Sequence, residues 1–334
     1  MFFPESYGLA VVLCVITMLC WGSWANTQKL VNRDWPFPLF YWDYSLGILL
    51  LALGMGCTLG SIGEAGRPFL EDLMQGNRAS WSSALIGGAV FNIANLLIVA
   101  AIDVAGMAVA FPVGIGLALV IGVIVNYIAA PVGDPLWLFV GVGLVAMAII
   151  LDAVAYSRLT SGKGQTPVRG VLLSIAGGIL MGFFFRFVAA ATVSDFEDPE
   201  IGLFTPYGAV FVFSIGIFLS NFVWNTVFMY RPVTGRSVKY RDYFRLGDGR
   251  VHLIGILGGL IWCVGMSLSL IASEKAGFAI SYGLGQGATM VAAAWGVFVW
   301  KEFKDAPKGT PRLIHLMFLL FVLGLGLIIY SRVV

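Results

Sequence analysis

The sequence predicts an all-α integral membrane protein of ten transmembrane helices, arranged as two inverted five-helix repeats over residues 1–160 and 161–334. Three observations lead there. The 334-residue chain is 59% hydrophobic and only 11% charged, with a mean hydropathy of +0.91, whereas a soluble domain carries about 25% charge. Ten apolar stretches each approach the roughly 20 residues needed to cross a bilayer. One stretch is also written twice, as "IDVAGMAVAFPVGIG" at 102–116 and "SEKAGFAISYGLGQG" at 273–287.

The ten stretches are 7–28, 39–60, 82–102, 106–129, 135–156, 169–191, 206–229, 251–272, 276–299 and 312–331. Their hydrophobicity is continuous rather than alternating, which selects helices over barrel strands. The first follows Glu5 with no Lys or Arg before it. It therefore lacks the positive start of a signal peptide and is read as a mature helix. Cys14, Cys20, Cys57 and Cys263 lie inside apolar segments without a C-x-x-C pair, so they read as packing thiols.

A shift of 171 residues aligns the two halves. Gly87-Gly88 falls on Gly258-Gly259, Phe91 on Trp262, Asp103 on Glu274, Gly106 on Gly277, Phe111 on Tyr282, and Gly116 on Gly287. With slightly different offsets, Ser45-Leu-Gly47-Ile matches Ser214-Ile-Gly216-Ile, and Tyr156-Ser-Arg158 matches Tyr330-Ser-Arg332. An odd number of spans per copy turns the second copy upside down in the membrane. Such inverted repeats suit alternating access, because exchanging the conformations of the halves turns one open state into the other.

Lys and Arg set the orientation. The loops after the first, third, fifth, seventh and ninth spans hold fifteen of them, six in 230–250, while the opposite side holds only Arg67, Arg78, Lys275 and Arg332. Both termini are thus expected outside the cytoplasm. The loop 193–205 carries Asp195, Glu197, Asp198 and Glu200 and no base.

Polar residues inside spans are costly in lipid and point to a cavity or to a neighbouring helix. "CWGSWANTQK" puts Trp21, Trp24 and Gln28 on one helical face. Asn92 and Asn95 lie three apart, Asn221 and Asn225 four apart beside Trp224, and Tyr282, Gln286 and Thr289 share a face of the ninth span. Arg186 in "FFFRF" is the one Lys or Arg near a span interior rather than at a span edge. These ten residues, Trp21, Trp24, Gln28, Asn92, Asn95, Arg186, Asn221, Asn225, Tyr282 and Gln286, form the expected substrate site, with interhelical hydrogen bonding as the competing role of each amide pair. Amides that donate and accept, beside aromatic faces, fit a small neutral polar solute. Asp43 and Asp152 are the candidate proton carriers, whereas Asp103 and Glu274 sit where they could cap the helices that follow. Pro112 with Gly114, and Gly283 with Gly285, mark expected hinges.

Catalytic and metal signatures are missing. His252 and His315 form no H-x-x-x-H pair, and there is no G-x-S-x-G or P-loop. The sequence therefore predicts neither an enzyme, a cofactor, a metal site, nor nucleic-acid binding.

"CWGSWANTQK", "AGMAVAFPVGIG" and the doubled five-span unit resemble the drug/metabolite transporter superfamily. Within it they look most like the glucose/ribose porter and L-rhamnose–proton symporter branch, with the plant ureide permeases nearby. The resemblance implies a ten-helix secondary carrier with a central cavity and frequent proton coupling. The expected function is import of a monosaccharide, with a ureide or nucleobase as the alternative and multidrug or metabolite export as a third. The expected partners are that solute, a coupling H⁺ and the lipid of the cell inner (cytoplasmic) membrane; a homodimer is compatible with the sequence.

Overall fold

The computed structural model describes residues 1–31, 35–63, 65–159 and 168–334, with the side chain of residue 108 also left aside. Arg33, Lys163 and the expected repeat boundary at 160/161 lie outside the described residues. All described regular elements are helical. The principal ones are α1 (Tyr7–Ser23), α2 (Phe37–Cys57), α3 (Arg78–Ala105), α4 (Gly116–Ala129), α5 (Pro135–Leu159), α6 (Val168–Ala190), α7 (Pro206–Asn221), α8 (Gly249–Ala276), α9 (Phe278–Gly285), α10 (Ala288–Ala294) and α11 (Thr310–Tyr330). Among the described residues, nine helices are long and apolar enough to cross a membrane. The chain is an all-α integral membrane protein.

The expected ninth span, 276–299, is not among those nine. Its chain divides into α9, α10 and a π-helical turn at Trp295–Val299, with Gln286 and Gly287 between α9 and α10. Three glycines in five residues, Gly283, Gly285 and Gly287, weaken the helix there. The corresponding point of the first half is also irregular. A π-helical turn covers Phe111–Ile115 before α4 begins, and Pro112 at its start has no N–H to donate. With the 171-residue shift, residues 111–116 and 282–287 coincide.

Other matches are equally local. α3 and α8 each contain 28 residues, longer than the stretches 82–102 and 251–272. Both are extended at their start by a side-chain cap: Asn77 Oδ1 accepts from Ser80 N at 2.9 Å, and Asp248 Oδ1 accepts from Val251 N at 2.8 Å. Both end at glycines, Gly106 with φ 77° and Gly277 with φ 84°, values an L side chain resists.

Packing follows the same pattern. α3 lies on α6 and α7, α8 lies on α1 and α2, and α5 lies on α11. At the α3–α7 crossing, a methyl on Gly88 would collide with the Phe213 carbonyl, and one on Gly216 with the Leu85 carbonyl. At the α8–α2 crossing, Gly259 meets the Tyr44 carbonyl and Gly47 the Ile256 carbonyl. Shifting Leu85 by 171 gives Ile256, so one small-residue seam is used twice. These crossings bring α1, α3, α6, α8 and the α9–α10 break around one central space.

Candidate functional site

That space is a cavity of about 320 Å³. Aromatic rings form its floor. Trp21 stacks on Trp262 at 5.8 Å between centroids and 12° between planes, and its Nε1 donates to the Trp262 carbonyl at 3.2 Å. Phe91 lies 4.4 Å from Trp262, and Phe184 lies 5.1 Å from Phe91. Phe91 and Trp262 are the residues the 171-residue shift superimposes, and they meet ring against ring. Trp24 leans on Tyr44 at 4.6 Å.

Polar groups reach this space from three elements. Asn95 of α3 donates from Nδ2 to the Tyr41 hydroxyl at 3.2 Å, and its carbonyl oxygen makes no hydrogen bond to a described residue. The side-chain amides of Gln28 and Gln286 have no protein partner among the described residues, although Gln286 is only 8% exposed. Thr289 donates to the Gln286 carbonyl at 3.0 Å. The cavity thus presents unpaired amide donors and acceptors between aromatic faces. A flat solute rich in N–H and C=O groups can stack and hydrogen-bond there.

Of the ten expected site residues, the cavity gathers Trp21, Trp24, Gln28, Asn95 and Gln286. The other five lie elsewhere, four of them with a structural reason. Asn92 donates to the Ile217 carbonyl at 3.1 Å and the Ser220 hydroxyl at 2.7 Å. Asn221 donates to the Ser45 hydroxyl at 2.6 Å, and Asn225 to the Pro38 carbonyl at 2.8 Å. All three amides join helices rather than face the cavity. Tyr282 is fully buried and donates to the carbonyls of Ala118, at 3.0 Å, and Met181, at 3.3 Å. A regular helix would align it with Gln286; the break after Gly285 separates them. Arg186 is half-buried near the end of α6 and has no hydrogen-bond or ion-pair partner among the described residues.

The two candidate proton carriers also stand apart from the cavity. Asp43 is buried where Tyr243 donates its hydroxyl to Oδ1, with His252 Nδ1 at 3.0 Å from Oδ2. Asp152, 5% exposed, lies within electrostatic reach of Glu302.

Sequence reasoning missed several cavity residues: Phe91, Phe184, Met181, Phe111 and Trp262 among the apolar ones, and Asp103 among the polar. Phe91 and Trp262 are paired in the sequence by the 171-residue shift, but not marked as cavity residues. The expected capping role of Asp103 and Glu274 fails. Gly106 and Gly277 precede their helices without any side-chain cap. Asp103 instead lies beside Thr234, whose hydroxyl donates to Oδ2 at 3.3 Å, while Glu274 pairs with Lys275 at 2.8 Å.

A second cavity of about 320 Å³ adjoins the first. Phe37, Val99 and Asp103 line both, and the far wall is the loop from Pro232 to Arg236. The central space therefore leads toward the basic 230–250 face. On the opposite, acidic face the chain is tied down. Arg67 pairs with Asp72 at 3.0 Å and donates to the carbonyls of Leu203, at 3.1 Å, and Glu200, at 2.9 Å. Asp72 also accepts from Thr205 N and Oγ1, each at 2.9 Å. Burial pushes the Asp72 carboxyl upward, while the Thr205 and Arg67 donors pull it down.

A bundle of membrane-spanning helices around one polar and aromatic cavity, reached from one face, is the build of a membrane transporter. The chain belongs to the ureide permease family, whose model matches residues 40–163 and 157–331. Ureide permease 1 of Arabidopsis thaliana is 24% identical, with 99% of each chain covered. Ureide permease 4 of the same plant is 25% identical at the same coverage. Probable ureide permease A3 of Vigna unguiculata is 24% identical over 92% of this chain and 98% of its own. A solved crystal structure superposes with a TM-score of 0.57 at 14% identity, covering 97% of this chain and 98% of the other, which is a likeness of fold.

Proposed function

We propose that this transporter carries a ureide into the cell by alternating access between two inverted five-helix repeats, with proton coupling. One observation carries the substrate class: Gln28 and Gln286 bring unpaired amides, and Asn95 an unpaired amide oxygen, to a cavity walled by Trp21, Trp24, Phe91 and Trp262. A ureide offers flat, alternating N–H and C=O groups to such a site. The names of the relatives favour this over a monosaccharide, so the ureide, second to a monosaccharide on sequence alone, becomes the first reading. The basic face corresponds to the cytoplasm by the positive-inside rule, and the described conformation is then inward-facing in a multi-pass inner membrane. The repeated caps, glycine termini and glycine seams support the two-repeat reading. Asp43 and Asp152 remain the carboxylates proposed to hold the coupling proton.

Uptake into proteoliposomes tests the reading. Radiolabelled allantoin and hydantoin should accumulate, in competition with each other, when the outside is made acidic. Glucose in tenfold excess should not compete. Uptake of glucose with no response to either ureide would overturn the ureide assignment.

A further inference from the structure

Among the described residues, Asp103 is the one charged side chain on the wall of the central cavity. It sits on the shared rim with the second cavity, two residues before the end of α3. Its side chain is exposed to that space and has a single described hydrogen bond, from Thr234 at 3.3 Å. Among the described residues no Lys, Arg or His lines the central cavity; Arg236 lies on the wall of the second. The remaining polar lining, Gln28, Asn95, Gln286 and Thr289, donates as readily as it accepts. A carboxylate only accepts, so Asp103 tilts the site toward solutes that offer donors.

We infer that Asp103 is a specificity-determining residue of the cavity, accepting hydrogen bonds from the N–H groups of the ureide at the open mouth. This rests on the ureide reading above and assigns the selection of donors within it. Hydrogen bonds to a charged acceptor are stronger than those between neutral partners. A ring with the same shape but no N–H should leave the carboxylate facing an apolar edge, and it should be rejected. An anionic solute would meet repulsion from the same group.

Trp21, Trp24 and Trp262 line the cavity, so tryptophan fluorescence of the purified full-length protein reports occupancy. The probes are hydantoin, a ring ureide with two N–H groups, and 1,3-dimethylhydantoin, which has none. The parent protein should bind hydantoin at least about tenfold more tightly than the dimethyl ring, the scale of one charge-assisted hydrogen bond. Asp103→Asn should lose most of that preference by weakening hydantoin, with the dimethyl ring unchanged. Thr234→Ala removes the neighbour of Asp103 but keeps the carboxylate, and it should retain the preference.

Full N–H preference in Asp103→Asn would overturn the assignment while leaving the ureide reading standing. Equal loss in Thr234→Ala would overturn it too, by making the loop geometry the cause. Failure of the parent to bind either ring, together with binding of glucose, would overturn the ureide reading and the assignment with it.

Discussion

The short helices Phe69–Gln75 and Tyr240–Leu246 hold the same place in the two halves. Each ends at a glycine, Gly76 or Gly247, one residue before the side-chain cap of a 28-residue helix. Their surroundings differ. The first buries Phe69 and Asp72 and is bound through Arg67, Asp72 and Gln75 to the segment 200–205. The second buries no residue and leaves Phe244 81% exposed. Its main inward tie is Tyr243 to Asp43. The transmembrane seams of the halves are nearly identical, whereas their face loops are not. Under the proposed alternating access, the loops are then the element that selects which mouth stands open, and the matching helix crossings are the frame common to both states.

The largest effect should come from cutting the tied face. Asp72 is fully buried and Arg67 only 12% exposed. Asp72→Ala would leave the Arg67 guanidinium and the Thr205 donors without their acceptor, a loss of about 3–5 kcal/mol for a buried pair broken on one side. Thermal unfolding in detergent should register it. The same variant should raise maleimide labelling of a cysteine placed at Ser80 on the acidic face. A stable Asp72→Ala protein with unchanged labelling would show that this network does not hold the face shut.

Next come the seams. Gly88→Ala and Gly259→Ala each drive a methyl into a backbone carbonyl, of Phe213 and Tyr44 respectively. Neither carbonyl can rotate away, so each substitution should cost about 1–3 kcal/mol. The two costs should agree, because the seams match. Gly54→Ala and Gly143→Ala meet nothing within 4 Å and should be neutral by the same thermal measurement. A large difference between Gly88 and Gly259 would break the equivalence of the two halves.

A third comparison lies inside the bundle, between amides on the cavity and amides on helix seams. Trp24→Ala and Gln286→Ala should each weaken ureide binding by about 1–3 kcal/mol, with little change in thermal stability. Asn92→Ala should do the reverse, because its amide joins α3 to α7. Equal binding losses from Asn92 and Gln286 would erase the distinction.

Most of the frame could be read from the residues. Continuous hydrophobicity located the spans, and the 171-residue shift located the paired glycines, whereas the caps Asn77 and Asp248 emerged only with the structure. The face of "CWGSWANTQK" was legible because α1 is regular to Ser23, which fixed Trp21 relative to Trp24. The ninth span was misjudged for the opposite reason. A helical face assigned across 282–289 assumes regularity that Gly283, Gly285 and Gly287 remove. The asparagines carried no signal that could separate cavity from seam, since an amide in a span serves both equally well. Asp103 looked like a cap from its position before Gly106, and only the nearby Thr234 loop, 131 residues away, reveals its place on the cavity rim.

A modest change in stability should come from the basic face. Asp43 is buried between the Tyr243 hydroxyl and His252 Nδ1, with Trp35 edge-on to the His252 ring at 5.3 Å. Asp43→Asn keeps the side-chain shape and an oxygen for Tyr243, so it should cost only about 1 kcal/mol, well below Asp72→Ala. It removes the one site in this cluster where a carboxylate can take up and release a proton. Proton-driven accumulation of ureide should then disappear, while exchange of labelled for unlabelled ureide continues, because exchange needs both gate states but no net proton movement. Asp152→Asn, away from this cluster, is the matched comparison. Loss of accumulation in Asp43→Asn alone would locate coupling at the lightly tied face; loss in Asp152→Asn alone would move it to α5. Accumulation by both variants at the parent level would remove both carboxylates from the coupling path.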